Sequence, residues 1–394
     1  MRQQFGQPHG IVDVGLAARH ILHVRGVRQH QLKFAIIQDV PHRFPIDAGR
    51  LHGHMRATVD RQPLRQAQKL RRGRLEGANL RLGYPMERCA LLRDHIACTR
   101  QKQQGPFLSN FRELIQGDEL IVAPCTLNPI MAQIAEDVGF KAVYMSGGSL
   151  GWLKCVTEAN ITLPEMAAIA VDIRAVCSLP IILDAGGGWG DPMHVHRTIA
   201  LTEAAGFAAI EIEDQLLPRR VEHHVGIDNL IDADLMVDKI KEAIAARAGS
   251  SLVIIARTNA RRVGGLDDAV RRGEAFHRAG ADMLFIYTRD AEEMRFVGER
   301  LPAPLMTFAP PDGFAAFPLS QSDLFQLGYR VAASSGTSFA ALYKAVRQSM
   351  ECLAQNRLDP FLGPGGAEAE MKRSQQMSRL DRLLAIERRT MKGR

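Results

Sequence analysis

Two carboxylates and one arginine stand where apolar runs of strand length end. Asp184 follows Pro-Ile-Ile-Leu, Glu213 closes Ala-Ala-Ile-Glu-Ile, and Arg257 follows Val-Ile-Ile-Ala. A few hard oxygen ligands, with water and substrate completing an octahedron, suit Mg²⁺ or Mn²⁺. A guanidinium fork suits the carboxylate of an organic acid. The pattern therefore predicts that Asp184 and Glu213 bind a divalent cation and that Arg257 binds an anionic substrate.

Less specific interpretations stay open for these residues. Either acid could pair with Arg257 or cap a helix, and the salt-bridge partner of Arg257 could be Glu213 or Asp214. Glu211 lies two residues before Glu213 on the same expected strand. Their side chains therefore point to the same face, and Glu211 lies farther from the strand end.

Another strand-length run ends at Ser146, Gly147 and Gly148. The serine hydroxyl and the exposed backbone N–H groups can bind an anion. A glycine pair after a strand often forms only a turn, which is the alternative. We expect these three residues to bind the substrate.

Eight apolar runs alternate with helical stretches from residue 119 onward. The expected strands cover 119–123, 141–145, 179–183, 208–213, 251–257, 282–288, 304–308 and 330–334. Near-continuous apolar strands, each followed by a helix, indicate a parallel sheet covered by helices, and eight such units close into a TIM-type (β/α)8 barrel. An open doubly wound α/β sheet is the alternative. In a barrel, the strand-end residues would meet at one rim, where active sites lie.

Charge divides the chain into parts. Residues 1–105 carry 19 Lys and Arg against 7 Asp and Glu, a net charge of +12. The net charge of the whole chain is +7, so the remaining residues carry −5. We expect a basic extension over 1–105, the barrel over 106–360, and a hinge with a helix over 361–394. The basic part could bind nucleic acid, be poorly ordered, or be upstream sequence joined by a misplaced start. No recognisable nucleic-acid motif accompanies the charge, which favours the last two.

The end of the chain needs a partner for its apolar face. Gly363-Pro-Gly-Gly366 predicts a hinge, and mixed three- and four-residue apolar spacing over 367–391 predicts one amphipathic helix. This helix could pack on its own barrel or on a neighbouring subunit. No apolar run approaches the roughly 18 residues of a membrane span, and the N-terminus has no signal pattern, so we expect a cytoplasmic location.

Four motifs resemble the superfamily of isocitrate lyase and phosphoenolpyruvate mutase. They are Tyr144-Met-Ser-Gly147, Pro180-Ile-Ile-Leu-Asp184, Ile212-Glu-Asp-Gln215-Leu-Leu-Pro218 and Ala256-Arg-Thr258. The resemblance implies a Mg²⁺-bound barrel that acts on a small 2-oxo or 2-hydroxy acid and stabilises an enolate. It also implies Asp184 and Glu213 near the metal, Arg257 and the Ser-Gly-Gly loop on the substrate, and a C-terminal helix exchanged between subunits of a homo-oligomer.

Three positions depart from the superfamily pattern. Gly186 replaces the second acid of Asp-Ala-Asp, and Thr157, beside Glu158, stands where an Asp precedes the second helix. Val221 replaces a proton-donating cysteine on the gating loop. Because valine cannot donate a proton, lyase chemistry that needs one would depend on a histidine of the same loop, His223 or its neighbour. The alternative for His223 is an exposed, inert side chain.

The first hypothesis is a Mg²⁺-dependent carbon–carbon lyase or decarboxylase of the oxaloacetate, methylisocitrate or dimethylmalate type. Arg257, His223 and Glu213 are the expected catalytic residues. Decarboxylation makes the smallest demand, because CO₂ leaves and water can protonate the enolate. The alternatives are a phosphonopyruvate-type mutase or hydrolase of the same superfamily, and a barrel that has lost catalysis and only binds.

Overall fold

The computed structural model describes residues 110–391 apart from residues 248 and 303, and its centre is an eight-stranded barrel. The strands are β1 (Ile121–Ala123), β2 (Val143–Met145), β3 (Ile181–Asp184), β4 (Ala209–Glu213), β5 (Val253–Thr258), β6 (Met283–Ile286), β7 (Leu305–Phe308) and β8 (Tyr329–Ala333). All pairs are parallel, in the order β1-β8-β7-β6-β5-β4-β3-β2. Tyr144 N donates to Pro124 O and Thr126 N donates to Tyr144 O, both at 2.9 Å, which joins β2 to the chain just after β1. The predicted (β/α)8 barrel is confirmed, and the open-sheet alternative is wrong.

Helices follow the strands as predicted, with ends set by local capping. They are α1 (Asn110–Leu114), α2 (Pro129–Val138), α3 (Gly147–Leu153), α4 (Leu163–Arg174), α5 (Pro192–Ala204), α6 (Ala233–Arg247), α7 (Leu266–Arg278), α8 (Ala291–Gly298), α9 (Gln321–Gln326), α10 (Thr337–Ala354), α11 (Gly366–Met377) and α12 (Leu380–Thr390). Short 3₁₀ helices lie at Glu158–Asn160, Val221–Val225, Ala260–Arg262 and Phe314–Ala316. For example, Asn128 caps α2 by accepting from Met131 N at 3.0 Å, and Gly139 ends that helix with φ +97°.

Side-chain alternation along the strands places the polar residues inside the barrel. In β3, Ile182 belongs to the inner core, whereas Leu183 packs among the residues that face the helices. The same period of two puts Glu211, Glu213 and Arg257 on the inner face of β4 and β5. The apolar interior therefore surrounds charged side chains that must satisfy one another.

The end of the chain forms two helices instead of the single helix predicted. Helix α11 ends at Met377 and α12 begins at Leu380, because Arg379 between them adopts the left-handed conformation with φ +57°. Met371 and Leu383 are 60% and 51% exposed. Exchange of this segment between subunits stays a prediction, and the expected basic extension over 1–105 lies outside the described residues. In the described part of the chain, no helix is both long and apolar enough to cross a membrane.

Candidate active site at the carboxyl end of the barrel

Asp184, the last residue of β3, is held by two backbone N–H groups. Its Oδ2 accepts from Gly147 N at 3.0 Å, and its Oδ1 accepts from Gly186 N at 3.2 Å. Burial raises the pKa of the Asp184 carboxyl, and the charges of Glu158 and Glu213 add to the rise. A cation placed among these acids would relieve their repulsion.

Arg257 is ion-paired with two acids of the neighbouring strand. Its Nη1 lies 2.6 Å from Glu211 Oε1, and its Nε lies 3.3 Å from Glu213 Oε2. Asn259 joins the network, because its Nδ2 donates to Glu213 Oε2 at 2.7 Å and its Oδ1 accepts from Arg257 Nη2 at 3.2 Å. The salt bridge between Arg257 and Glu213 is thus confirmed. Asp214 is not the partner of Arg257, since its carboxylate faces away from the barrel interior.

The residue that pairs with Asp214 is Arg272, on helix α7, at 3.1 Å. Thr258 Oγ1 also donates to Asp214 at 2.5 Å, and Asn259 N donates at 3.1 Å. These contacts tie the end of β4 to β5 and α7. Asp214 therefore stabilises the position of the strand ends that carry Glu213 and Arg257.

The two acids of β4 have opposite pKa shifts. Burial, together with neighbouring acids, raises the pKa of Glu211 to about 8, and Tyr144 OH donates to its Oε2 at 3.1 Å. Burial also disfavours the charged form of Glu213, but Arg257 and Arg219 outweigh it and lower the pKa. Near pH 7, Glu211 therefore holds a proton in most molecules, and Glu213 is the charged partner of Arg257.

Aromatic rings hold the guanidinium of Arg257 in place. Its Cζ lies 4.9 Å from the ring centroid of Phe285 and 5.2 Å from that of Phe308. Both rings line a cavity of about 420 Å³ at the ends of β6 and β7. Contact between a cation and ring faces is attractive and restricts the orientation of the fork.

A second arginine enters the site from the arginine loop, which we define as residues 218–226. Arg219 Nη2 lies 2.8 Å from Glu158 Oε1, and Arg219 Nη1 lies 2.8 Å from Glu213 Oε1. His223, on the same loop, contacts Glu158 Oε1 through Nε2, and its Nδ1 lies 2.6 Å from the carbonyl oxygen of Arg220. Glu158 therefore connects two side chains of the loop to the barrel.

Glu158 is a charged, buried anchor. Burial alone would raise its pKa, but the hydrogen bond to His223 and the charge of Arg219 lower it to about 2. The same hydrogen bond raises the pKa of His223. His224 Nε2 lies 2.9 Å from Thr157 Oγ1, so the loop has a further contact beside Glu158. The His223 side chain is only 10% exposed, so the expectation of an exposed side chain is wrong. Its catalytic role stays a prediction.

Gly186 makes room for Arg219. Its φ is +50°, in the left-handed region, and a Cβ atom there would lie 2.7 Å from Arg219 Nη1. That separation is well inside van der Waals contact. A side chain at position 186 and the observed position of Arg219 are therefore incompatible, which links the departure at Gly186 to the arginine loop.

Two polar groups of the Ser-Gly-Gly loop form hydrogen bonds within the protein itself. Ser146 Oγ caps α3 by accepting from Ser149 N at 3.3 Å, and Gly147 N donates to the β3 carboxylate. Gly148 lies beside Glu158, because a Cβ at Gly148 would be 2.9 Å from Glu158 Oε2. N–H groups in the first turn of a helix have no acceptor within the helix, so Gly148 N keeps a donor for an anion.

A cavity of about 420 Å³ opens onto this cluster. Asp184, Glu158 and Arg219 line its polar side, and Met166 and Trp189 line its apolar side. Ligand pockets commonly measure about 300–1,000 Å³, so this one suits a small organic acid. Arg257 does not line it and lies deeper in the barrel, behind Glu213.

The structure brings the predicted residues Asp184, Glu213 and Arg257 together. Two residues without a predicted role, Glu158 and Arg219, join them. The sequence did contain a signal for these two residues. They have opposite charges and lie on loops that follow strands of the same barrel, and such loops meet at one rim. The spacing of residues in the sequence does not show which carboxylate pairs with which arginine across that rim.

The donor atoms fit a divalent cation. Asp184 and Glu213 end neighbouring strands, and Arg219 joins Glu213 to Glu158. Carboxylate oxygens are hard ligands of the kind that suits Mg²⁺ or Mn²⁺. Glu213 Oε1 is held by the ion pair with Arg219 Nη1 at 2.8 Å.

Comparisons with known proteins find lyases and a decarboxylase that are similar to this chain. A 2-methylisocitrate lyase of Aeropyrum pernix is 39% identical over 247 residues, which cover 61% of this chain and 79% of that protein. An oxaloacetate decarboxylase of Pseudomonas fluorescens is 35% identical over 253 residues, or 63% of this chain and 83% of that protein. Neither relative covers the whole of this chain.

Solved structures give the same result. A crystal structure of 2,3-dimethylmalate lyase matches with a TM-score of 0.62 and 29% identity, over 72% of this chain and 95% of that one. Phosphonopyruvate hydrolase in complex with oxalate and Mg²⁺ matches with a TM-score of 0.63 and 27% identity, over 72% and 99%. Residues 111–354 match the family described as phosphoenolpyruvate phosphomutase. The chain therefore belongs to the phosphoenolpyruvate phosphomutase family, within the superfamily that its motifs resemble.

Proposed function

We propose that the chain is a divalent-cation-dependent carbon–carbon lyase that cleaves a small 2-oxo or 2-hydroxy dicarboxylate through an enolate. The observation that carries this proposal is a group of three carboxylates at one end of the barrel. Glu158 and Asp184 line a cavity of about 420 Å³, and Glu213 is ion-paired with Arg219, which also lines it, and with Arg257. Lyases and a decarboxylase of such acids among the relatives support it.

Asp184 and Glu213, with Glu158, would hold Mg²⁺ or Mn²⁺. When bound, the cation would act as a Lewis acid toward the 2-oxo or 2-hydroxy oxygen. The residues fit this role because Asp184 is oriented by two N–H groups, and because the charges of Arg257 and Arg219 lower the pKa of Glu213. The phosphonopyruvate hydrolase complex with Mg²⁺ supports a divalent metal in the family.

Oxaloacetate is the substrate type that this site fits best. In its decarboxylation, the bond between C3 and the departing carboxylate breaks, and the electron pair moves to the 2-oxo oxygen to give an enolate and CO₂. A proton from water then completes pyruvate. This sequence needs no proton donor at position 221, where Val221 is 57% exposed and carries none.

The remaining site residues would bind and orient the acid. The N–H of Gly148 can donate to a substrate carboxylate. Arg257 lies deeper in the barrel and can attract the anionic substrate through its positive charge. Because Glu211 carries a proton near pH 7, it does not fully balance this charge. His223 donates from Nδ1 to the Arg220 carbonyl and contacts Glu158 Oε1 through Nε2, so it would hold Glu158 and the arginine loop in position.

The test is turnover of oxaloacetate, 2-methylisocitrate and 2,3-dimethylmalate with Mg²⁺, followed by a coupled assay for the oxo-acid product. Reactions with EDTA and reactions without protein remove the contribution of free metal to oxaloacetate decay. Asp184→Asn should lose the activity, and Asp172→Asn, an exposed acid on α4, should keep it. No turnover of any of the three acids would sink the proposal.

Two further measurements separate the alternatives. Turnover of phosphonopyruvate in place of the dicarboxylates would favour a mutase or hydrolase. Calorimetry with Mg²⁺ and oxalate distinguishes a functional enolate site, which should bind the pair, from an eroded barrel, which should not.

A further inference from the structure

The positive charge at the centre of the three carboxylates belongs to Arg219. Its two terminal nitrogens lie 2.8 Å from Glu158 Oε1 and 2.8 Å from Glu213 Oε1. The side chain is 12% exposed, and the charges of Glu213, Glu158 and Asp184 raise its pKa against the effect of burial. The guanidinium therefore stays charged and stays in the cluster.

The oxygens that hold Arg219 are the same ones that fit a metal. Mg²⁺ requires its oxygen ligands at about 2.0–2.1 Å in a nearly octahedral arrangement. A guanidinium nitrogen 2.8 Å from a carboxylate oxygen occupies one side of that oxygen. Mg²⁺ cannot reach its ligand distance from that side. Two cations side by side in a buried cluster would also repel each other strongly.

Gly186 is what permits this arrangement. A Cβ atom at position 186 would lie 2.7 Å from Arg219 Nη1, so the glycine leaves space for the guanidinium. The guanidinium adds a positive charge to the cluster of carboxylates. This charge weakens the binding of another cation there.

We propose that Arg219 and the divalent cation exclude one another from the carboxylates of Glu158 and Glu213, so that Arg219 sets the metal affinity of this site. The inference rests on the metal dependence in the proposed function and deepens it. It has a consequence for the arginine loop, because Glu158 anchors both Arg219 and His223. When the cation takes Glu158 and Glu213, the loop loses these two contacts.

The test is Mn²⁺ affinity, measured by loss of the free-ion electron paramagnetic resonance signal, on the full chain. Arg219→Met keeps the length of the side chain and removes its charge, and it should bind Mn²⁺ at least about tenfold more tightly than the wild type. Arg220→Met is the matched control, because Arg220 is the next residue and is exposed. It should change the Mn²⁺ affinity less than about twofold.

Gly186→Ala gives an independent test that removes no charge. Its Cβ should displace the Arg219 guanidinium and so tighten Mn²⁺ binding in the same direction, by a smaller factor. Circular dichroism and thermal melting on each variant show that the barrel is folded. Amide hydrogen exchange over 218–226 is the second readout. Mn²⁺ should speed exchange in the wild type and have a smaller effect in Arg219→Met, where only the His223 contact with Glu158 can be lost.

The outcomes separate this inference from the proposed function. Equal or weaker Mn²⁺ binding by folded Arg219→Met would overturn the inference, even if the wild type turns over a dicarboxylate. Absence of Mn²⁺ binding in both proteins would overturn it as well. Tighter binding by Arg219→Met, without turnover of any dicarboxylate, would support the inference and count against the proposed function.

Discussion

Glu158→Gln should make the protein less stable in a way that depends on pH. Glu158 lies between Arg219 and His223, and these partners lower its pKa from 4.5 to about 2. A folded-state pKa below the unfolded value adds stability that is fully present above the unfolded pKa. This stability is lost as the pH falls through the folded pKa.

The magnitude follows from the size of the shift. A difference of about 2.5 pKa units corresponds to about 3 kcal/mol of unfolding free energy at pH 7. At pH 3, where the unfolded carboxyl is almost fully protonated, the same linkage leaves about 1 kcal/mol. The stability difference between the wild type and Glu158→Gln should therefore shrink by about 2 kcal/mol between pH 7 and pH 3.

Urea unfolding followed by far-ultraviolet circular dichroism at both pH values measures this difference. Glu299→Gln is the matched control, because its side chain is 65% exposed at the end of α8, and its effect should be small at both pH values. If Glu158→Gln costs less than about 0.5 kcal/mol at pH 7, or if its cost does not fall toward pH 3, then Glu158 is not the charged anchor described above.

Four further predictions concern other parts of the molecule. Asp184→Asn should lower kcat for dicarboxylate cleavage by about 10²–10³-fold without loss of the folded barrel, as measured by steady-state kinetics and thermal melting. Glu211→Gln should gain stability relative to the wild type as the pH rises from 4.5 to 8, because a raised folded pKa of about 8 costs the wild type stability over that window; urea unfolding at pH 5 and pH 8 measures this, and an opposite trend would contradict it. Arg257→Lys should reduce kcat/KM by about tenfold or more, since an ammonium cannot keep the contacts of the fork with Glu211, Glu213 and Asn259 at once. Removal of residues 364–394 should lower the molecular mass measured by light scattering if this segment joins subunits.

Local patterns in the sequence were enough to predict the barrel and the main part of its rim. Each strand is buried on both faces and therefore reads as an apolar run, and each helix carries its own caps, such as Asn128 and Gly139. Because parallel strands of a barrel end at one rim, Asp184, Glu213 and Arg257 could be placed together before any contact was known. The single C-terminal helix was wrong, since nothing in its apolar spacing marks the left-handed residue Arg379.

Only the tertiary structure decided how the charges pair and which of them are neutral. Glu211 and Glu213 share one strand face, yet the pKa of Glu211 rises to about 8 and that of Glu213 falls, because Arg219 reaches only the second. The contact of Arg219 with Glu158 joins two loops that are far apart in the chain. Periodicity encodes which face of an element is buried, whereas ion pairing depends on distances between separate loops and on the low dielectric that they share. The sequence therefore determined where the site lies, and the packing of the arginine loop determined its charge.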